Sequence, residues 1–181
     1  MFSFQRKTCV RNLNIYYLYF ICELNFDILL IKNFFISVES GSGKFNKRFI
    51  HKLVGLLSKE FSFKIISLEL NFISGETIQK LNKKYLGHDY TTDIITFDYS
   101  QNLNNLEGEI FISVDDAKLN AKKFRCTIDK EIIRLISHGI LHLIGYNDLH
   151  MSEKLKMKKA EDYILNKFYF LTKDNIISYD N

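Results

Sequence analysis

The sequence predicts an α/β (α+β) fold, in which a small mixed β-sheet of about four strands is covered by helices. Two observations predict this class. Segments with strand composition and segments with helical periodicity are interspersed along the chain, which favours a mixed sheet packed against helices. The chain has 181 residues, 46% of them hydrophobic, which is enough for one domain with a substantial core.

The first half of the chain supplies two strands and two helices. Residues 28–38 are rich in branched and aromatic side chains and predict the first strand. Apolar residues at helical spacing then predict a helix over 45–61. The second strand is predicted over 64–73. Ser74 is the expected N-cap of a shorter helix over 76–85.

The second half continues the alternation. Residues 93–99 and 109–114 predict two more strands, joined by an Asn-rich loop. Asp115 or Asp116 is the expected first residue of the helix that comes next. Three helices complete the set, over 115–124, 129–144 and 152–168.

Composition limits the class of protein. Charged residues make up 25% of the chain, which is typical of a folded soluble protein. Acidic and basic residues interrupt the most apolar run, 13–36, so we expect no membrane span and no signal peptide. Three widely separated cysteines offer no disulfide framework, which fits a cytoplasmic location. The net charge of +4 is a mild basic bias that is compatible with a polyanionic partner.

The helix over 129–144 carries the most informative residues. It is apolar nearly all round, which predicts that it is buried at the centre of the fold. Arg134, His138 and His142 follow one another at intervals of four, so they form one polar stripe on it. Polar side chains on a buried helix need partners. Two imidazoles at i and i+4 are placed to hold one metal ion.

The third ligand is expected from the loop that follows. Gly145 suits a left-handed helix terminus, after which the chain can turn back towards the histidines. Asp148 then stands where the zinc-protease pattern H-E-x-x-H-x-x-G-x-x-H has its last histidine. A carboxylate oxygen is an acceptable zinc ligand. We therefore prefer Asp148 as the third ligand, with His150 as the alternative.

The residue after the first histidine separates this site from the zinc proteases. There the pattern has a glutamate that acts as general base, and here it is Gly139. Three protein ligands and an open position still predict a catalytic site, with a zinc-bound water as the reactive group. The expected cofactor is one Zn²⁺ per chain.

Three stretches of the sequence together resemble one known family. HGILHLIGYND, residues 138–148, resembles the H-G-x-L-H-L-x-G-Y-D-H signature of the YbeY family of ribosomal-RNA maturation endoribonucleases. Residues 81–99 and 107–113 resemble two further segments of that family, in the same order. The resemblance covers about 45–168. We expect residues 31–170 to form a single metal-dependent hydrolase domain, 1–30 an extension of unknown order and 171–181 a tail.

The resemblance implies a function and a site. It implies a single-strand-specific, zinc-dependent endoribonuclease that acts in maturation of the 3′ end of 16S rRNA and in ribosome quality control. Its partners would be ribosomal RNA and the small ribosomal subunit. The family's three histidine positions fall on His138, His142 and Asp148, so the third is an acid here. Leu86 stands where the family usually has an arginine, which puts phosphate contact from that loop in doubt.

Several basic residues are candidates for RNA contact. Arg134 could replace the missing arginine, or it could simply form an ion pair with Glu131. His88 could reach the cleft or lie on the loop surface. The lysine candidates for positioning phosphates could equally belong to a solvated face; they are Lys47, Lys52, Lys83 and Lys84.

Two other functions compete with the nuclease. A zinc metallopeptidase would need a base from elsewhere, such as Glu109 or Glu161. A non-catalytic ribosome-assembly factor with a structural zinc would need a closed four-ligand site that includes His150.

Overall fold

Residues 31–168 and 176–178 are described by a computed structural model, and their fold is mixed α/β, which confirms the predicted class. The predicted extension, 1–30, lies outside the described residues. The strands are β1 (Phe34–Val38), β2 (Lys44–Phe45), β3 (Lys64–Ile73), β4 (Ile94–Asp98), β5 (Asn105–Ser113) and β6 (Ile177–Ser178). The helices are α1 (Lys47–Phe61), α2 (Gly75–Leu81), α3 (Val114–Lys123), α4 (Ile128–Leu143) and α5 (Met151–Lys167), with a π-helical turn, Asn82–Leu86, after α2.

The main sheet has four strands in the order β1-β3-β5-β4. The strand β3 pairs in parallel with both β1 and β5, while β4 runs antiparallel to β5 at the edge. A separate short antiparallel pair joins β2 to β6. Of the two strands, β6 lies within the segment that we expected to be a tail, and Ile176 and Ile177 of that segment are buried.

The sheet buries its two faces unequally. Leu68, Leu70 and Phe72 alternate along β3 and belong to the main core, together with the apolar faces of α1 and α4. The opposite face has a smaller cluster, in which Ile78 of α2 packs against Ile73 and Ile95. The helix α4 is therefore held against the main face of the sheet, as its apolar composition predicted.

Side-chain caps determine where several helices begin. Ser74 accepts a hydrogen bond from the Thr77 amide at 3.2 Å, which confirms it as the N-cap of α2. The helix α3 starts earlier than predicted, because the Ser113 hydroxyl accepts from the Asp116 amide at 3.2 Å and so acts as its N-cap. The prediction that Asp115 or Asp116 begins this helix was therefore wrong.

Two glycines set the position and the end of α4. Gly139 faces the sheet, where a Cβ atom would lie 2.9 Å from side-chain atoms of Ile110. Gly145 has φ of 93°, the left-handed conformation that we expected, and the Tyr146 amide donates to the Leu141 carbonyl at 2.9 Å. The chain thus leaves α4 abruptly and turns back beside it. In the described part of the chain, no helix combines the length and apolar character needed to cross a membrane.

Candidate metal centre

His138 and His142 lie one turn apart on α4 and turn their rings toward a common point. Their Nε2 atoms are 3.0 Å apart, and their ring planes are nearly perpendicular, at 88°. Both side chains are only partly buried, so one side of the pair remains open to solvent. The spacing of four along the helix therefore brings the two imidazoles together, as the sequence pattern predicted.

Hydrogen bonds on the far side of each ring define which nitrogen is free. Nδ1 of His142 lies 3.1 Å from the Tyr146 carbonyl oxygen, and Nδ1 of His138 lies 2.6 Å from Oε1 of Glu161. A carbonyl oxygen and a carboxylate only accept, so each Nδ1 carries the proton. In their neutral forms the two rings direct an Nε2 lone pair toward each other, an arrangement that a shared cation stabilises.

Asp148 completes a group of three possible ligands. Its Oδ1 lies 3.9 Å from Nε2 of His142, and one ligand atom from each of His138, His142 and Asp148 falls within a 4.8 Å span. Two imidazole nitrogens and a carboxylate oxygen are all accepted by zinc and related divalent ions. These residues can therefore hold a metal ion, and the turn at Gly145 is what brings the carboxylate back to the helix.

The charge state of His142 suits this role. Burial lowers the pKa of His142, and the neighbouring His138 lowers it further, while the carboxylate of Asp148 acts in the opposite direction. A lowered pKa favours the neutral imidazole, which is the form that binds a metal ion.

His150 has a different position. It is exposed, lies outside the group of three and is the N-cap residue of α5. Its backbone amide donates to Oε2 of Glu153 at 3.1 Å, which is half of a capping-box arrangement. His150 therefore lies at the start of α5, two residues after Asp148, and outside the group of candidate ligands.

Arg134, the third member of the α4 stripe, lies among three carboxylates. Its guanidinium donates twice to Glu131, at 2.7 and 3.0 Å, and its Nη2 lies 3.3 Å from Oδ2 of Asp93. Its Nη1 lies 3.8 Å from Oε2 of Glu161. Burial acts to lower the pKa of Arg134, but the hydrogen bonds and charge of Glu131, with Glu161 and Asp93, outweigh it and raise that pKa. The guanidinium is therefore charged and held in place.

A cleft of about 640 Å³ opens beside the three candidate ligands, between α4 and α5. His138 and Asp148 lie on its wall, and so do Arg134 and Glu161. An exposed aromatic ring, Phe124, also lines it. Two of the three candidate ligands are thus accessible from this cleft.

The predicted RNA-contacting residues lie elsewhere on the described surface. The side chain of Lys83 forms an ion pair with Asp89 at 2.6 Å, and the ring of His88 stacks on that of Tyr90, with centroids 5.2 Å apart. Lys47 donates to the Ile36 carbonyl at 2.8 Å. None of the five predicted contacts lines the cleft; they are Lys47, Lys52, Lys83, Lys84 and His88.

Sequence reasoning did not single out the lysines that do line the cleft. They are Lys130 on α4 and Lys154 and Lys158 on α5. A signal was present, because residues 154, 158, 161 and 165 follow helical spacing and so share the face of α5 that is turned to the cleft. The sequence also did not indicate the contact between Glu161 and His138, because that contact joins two different helices.

The mixed fold, with a His-His-Asp group that can hold a metal ion beside an open cleft, is typical of metal-dependent hydrolases. The chain belongs to the YbeY family: the family model described as endoribonuclease YbeY matches residues 36–169.

Individual relatives agree with this assignment. The endoribonuclease YbeY of Chlorobium phaeovibrioides is 36% identical over 116 residues, which cover 64% of this chain and 78% of the relative. The endoribonuclease YbeY of Cytophaga hutchinsonii is 40% identical over 117 residues, which cover 65% of this chain and 82% of the relative. The endoribonuclease YbeY of Bacteroides thetaiotaomicron is 49% identical over 94 residues, which cover 52% of this chain and 68% of the relative.

A solved structure supports the fold. The solution structure of TM1509 from Thermotoga maritima has a TM-score of 0.54 to this chain, with 23% sequence identity, and the match covers 78% of this chain and 96% of that one. At this level of identity the similarity concerns the fold alone.

Proposed function

We propose that this protein is a zinc-dependent endoribonuclease that cuts single-stranded RNA in the cytoplasm and acts on small-subunit ribosomal RNA. Maturation of the 3′ end of 16S rRNA and ribosome quality control are its proposed roles. The observation that supports this most directly is the convergence of His138, His142 and Asp148 beside an open cleft, in a chain of the YbeY family. We assign these three as the zinc ligands, one ion per chain.

Each of the two histidine candidates has a defined partner that orients it. A zinc ion held here would lower the pKa of a water molecule and polarise a phosphoryl oxygen. Glu161 holds His138 with its Nε2 directed to the site, and the Tyr146 carbonyl does the same for His142. Such partners fix the tautomer and raise the basicity of the ring.

Arg134 has a supporting role in this proposal. It donates two hydrogen bonds to Glu131, and Glu131 is 1% exposed, so breaking this pair would leave a buried charge. The guanidinium also lies between Asp93 and Glu161 and partly compensates their charge. We therefore assign Arg134 to positioning Glu161, and through it His138, in preference to direct contact with RNA.

In the described part of the chain, neither glutamate that was expected to replace the peptidase base is free to act at the site. Gly139 faces the sheet, so a side chain at that position would point away from the ligands. Of the two glutamates that could replace this base, Glu161 is already in hydrogen-bond contact with His138. Glu109 neighbours Ile110, which faces Gly139, so Glu109 points to the opposite face of the sheet.

The structural-zinc alternative requires a fourth protein ligand. His150 is the residue named for that role, and it is exposed at the start of α5. The group found in the described chain has three members, which leaves a position for substrate or water. This supports a catalytic role for the ion.

A cleavage assay tests the proposal. Zinc-loaded protein should cut a single-stranded ribosomal RNA fragment and leave a duplex of the same sequence intact. His138→Ala and His142→Ala, purified identically, should lose this activity, which excludes a contaminating nuclease. If the parent and both variants cut equally, the proposal is wrong. Digestion of an unfolded protein by the parent and not by the variants would favour the peptidase instead.

A further inference from the structure

The cleft beside the candidate ligands has a distribution of charge that points to how a substrate is held. Five acidic residues of the described chain line it. Asp148 is a candidate ligand and Asp162 lies on α5, while the other three, Asp93, Glu131 and Glu161, contact Arg134 or His138. Their charge is thus already compensated in part by the guanidinium. The basic groups of the cleft are arranged differently.

Lys154 and Lys158 are exposed on the first turns of α5, and Lys130 lies across the cleft near the start of α4. Among the residues that the structure describes, the ammonium groups of these three lysines have no ion-pair or hydrogen-bond partner. This contrasts with Lys83, which is paired with Asp89, and with Lys167, which is paired with Glu60. An unpaired ammonium group at the edge of a cleft is available to an anionic ligand.

The two helices place these lysines on either side of the metal-ligand candidates. Lys154 and Lys158 are one turn apart and share the face of α5 that also presents Glu161 to His138. Lys130 precedes His138 by eight positions in the same helix, a separation of roughly 12 Å along its axis. A ligand that contacts both sets must therefore extend along the cleft past the histidines.

We infer that Lys154 and Lys158, with Lys130, bind successive phosphates of a single RNA strand that lies along this cleft. The inference rests on the proposed nuclease function and names the residues that hold its substrate. A flexible, extended polyanion fits unpaired lysines distributed along a groove better than a small anion does, since a small anion needs its donors at one point. The phosphate between the two sets of lysines would then lie next to His138 and Asp148.

Phe124 adds a surface for a base. Its ring is 58% exposed and lines the same cleft. Unpaired bases stack on such rings without sequence preference, and a duplex does not offer them. Phosphate contacts from the lysines and a stacked base on Phe124 together select for a single strand.

The chain supplies a matched control on the same helix. Lys156 and Lys159 are exposed, like Lys154 and Lys158, but they line a different cleft, on the other side of α5, with Tyr146 and Tyr163. The four single alanine variants therefore remove the same charge from the same helix. All four replace an exposed lysine by a strong helix former, so folding should be preserved.

Binding of a labelled single strand tests the inference. The probe is a 2′-O-methyl RNA of mixed sequence, checked for integrity after each titration, and binding to the zinc-loaded full chain is followed by fluorescence anisotropy at several salt concentrations. Lys154→Ala and Lys158→Ala should each lower the slope of log affinity against log salt by about 0.7, the value for one lost contact to a single strand. Lys156→Ala and Lys159→Ala should leave the slope unchanged, and Lys158→Arg should retain it.

Phe124→Ala gives a different signature, because stacking does not depend on salt. The affinity of Phe124→Ala for the RNA probe should fall about tenfold, while the slope of log affinity against log salt should stay unchanged. In the cleavage assay, the Lys154 and Lys158 variants should raise KM and retain kcat, as expected for residues that bind substrate.

Equal slopes for the cleft lysines and their controls would overturn the inference, even if the parent binds and cuts RNA. In that case the proposed function would stand and the strand would follow another path. A parent protein that does not bind the probe at all would overturn the proposed function as well, so the two failures are distinguishable.

Discussion

Oε1 of Glu161 on α5 lies 2.6 Å from Nδ1 of His138 on α4. This contact joins the two helices that form the cleft, and it is made on the side of the imidazole that faces away from Asp148 and His142. The other oxygen of the same carboxylate lies 3.8 Å from Arg134. One carboxylate thus connects a candidate ligand to the buried ion pair of Arg134 and Glu131.

Glu161→Gln should weaken metal binding about tenfold, and Glu161→Ala should weaken it more, because the ring of His138 loses the acceptor that fixes its tautomer. Zinc affinity is measured by competition with a chromophoric chelator, which does not depend on RNA cleavage. Asp162→Asn is the matched control: it removes one acidic charge from the next residue of α5, which also lines the cleft. If Glu161→Gln and Asp162→Asn have the same affinity as the parent, Glu161 has no positioning role.

Replacing the candidate third ligand should separate Asp148 from His150. Asp148→Ala should lower zinc affinity strongly, because it removes an anionic donor from the group of three. His150→Ala should keep the affinity and affect only the start of α5. Asp148→His should restore binding, since imidazole is an equally acceptable ligand. Loss of binding in His150→Ala alone would reverse the assignment.

The sequence predicted those parts of the fold that depend on local patterns. Strand β3 was predicted with its observed bounds, and the N-cap at Ser74 and the left-handed Gly145 were both anticipated. Residues four apart on one helix must share a face, so the meeting of His138 and His142 needed no knowledge of the rest of the chain.

Contacts between distant segments could not be predicted in the same way. Pairing of β2 with β6 joins residues 44–45 to 177–178, and no pattern in either segment is specific for the other. The partners of Arg134 show the same limit. Glu131 is three residues away and was anticipated, whereas Asp93 and Glu161 reach Arg134 only through the tertiary fold.

Gly139→Ala should destabilise the protein by about 1–3 kcal/mol, because its Cβ would lie 2.9 Å from Ile110 side-chain atoms in a packed core. Chemical denaturation followed by circular dichroism measures this loss. Gly55→Ala is the control, since it is also a glycine within a helix. Its Cβ would have Ile31 as its nearest neighbour at 4.0 Å, so greater helix propensity should stabilise it slightly. Equal effects at the two positions would show that α4 has more room against the sheet than the distances indicate.

Glu39 should make the stability of the α2 region depend on pH. Its carboxylate accepts from the Ser74 amide at 2.6 Å and from the Thr77 hydroxyl at 2.8 Å, and these hydrogen bonds lower the pKa of Glu39 below its ordinary value of 4.5. A lowered pKa means that the ionised form stabilises the folded state above pH 4.5. This stabilisation disappears as the pH falls through the folded-state pKa.

Glu39→Gln should therefore reduce the free energy of unfolding by about 1 kcal/mol at neutral pH, and the difference from the parent should shrink below pH 4.5. Denaturant titrations of both proteins across this range measure it. Thr77→Val removes one of the two donors and should reproduce part of the loss with the same pH profile. A difference between parent and Glu39→Gln that stays constant from neutral to acidic pH would mean that the charge of Glu39 contributes nothing, and that the substitution acts only through the shape of the side chain.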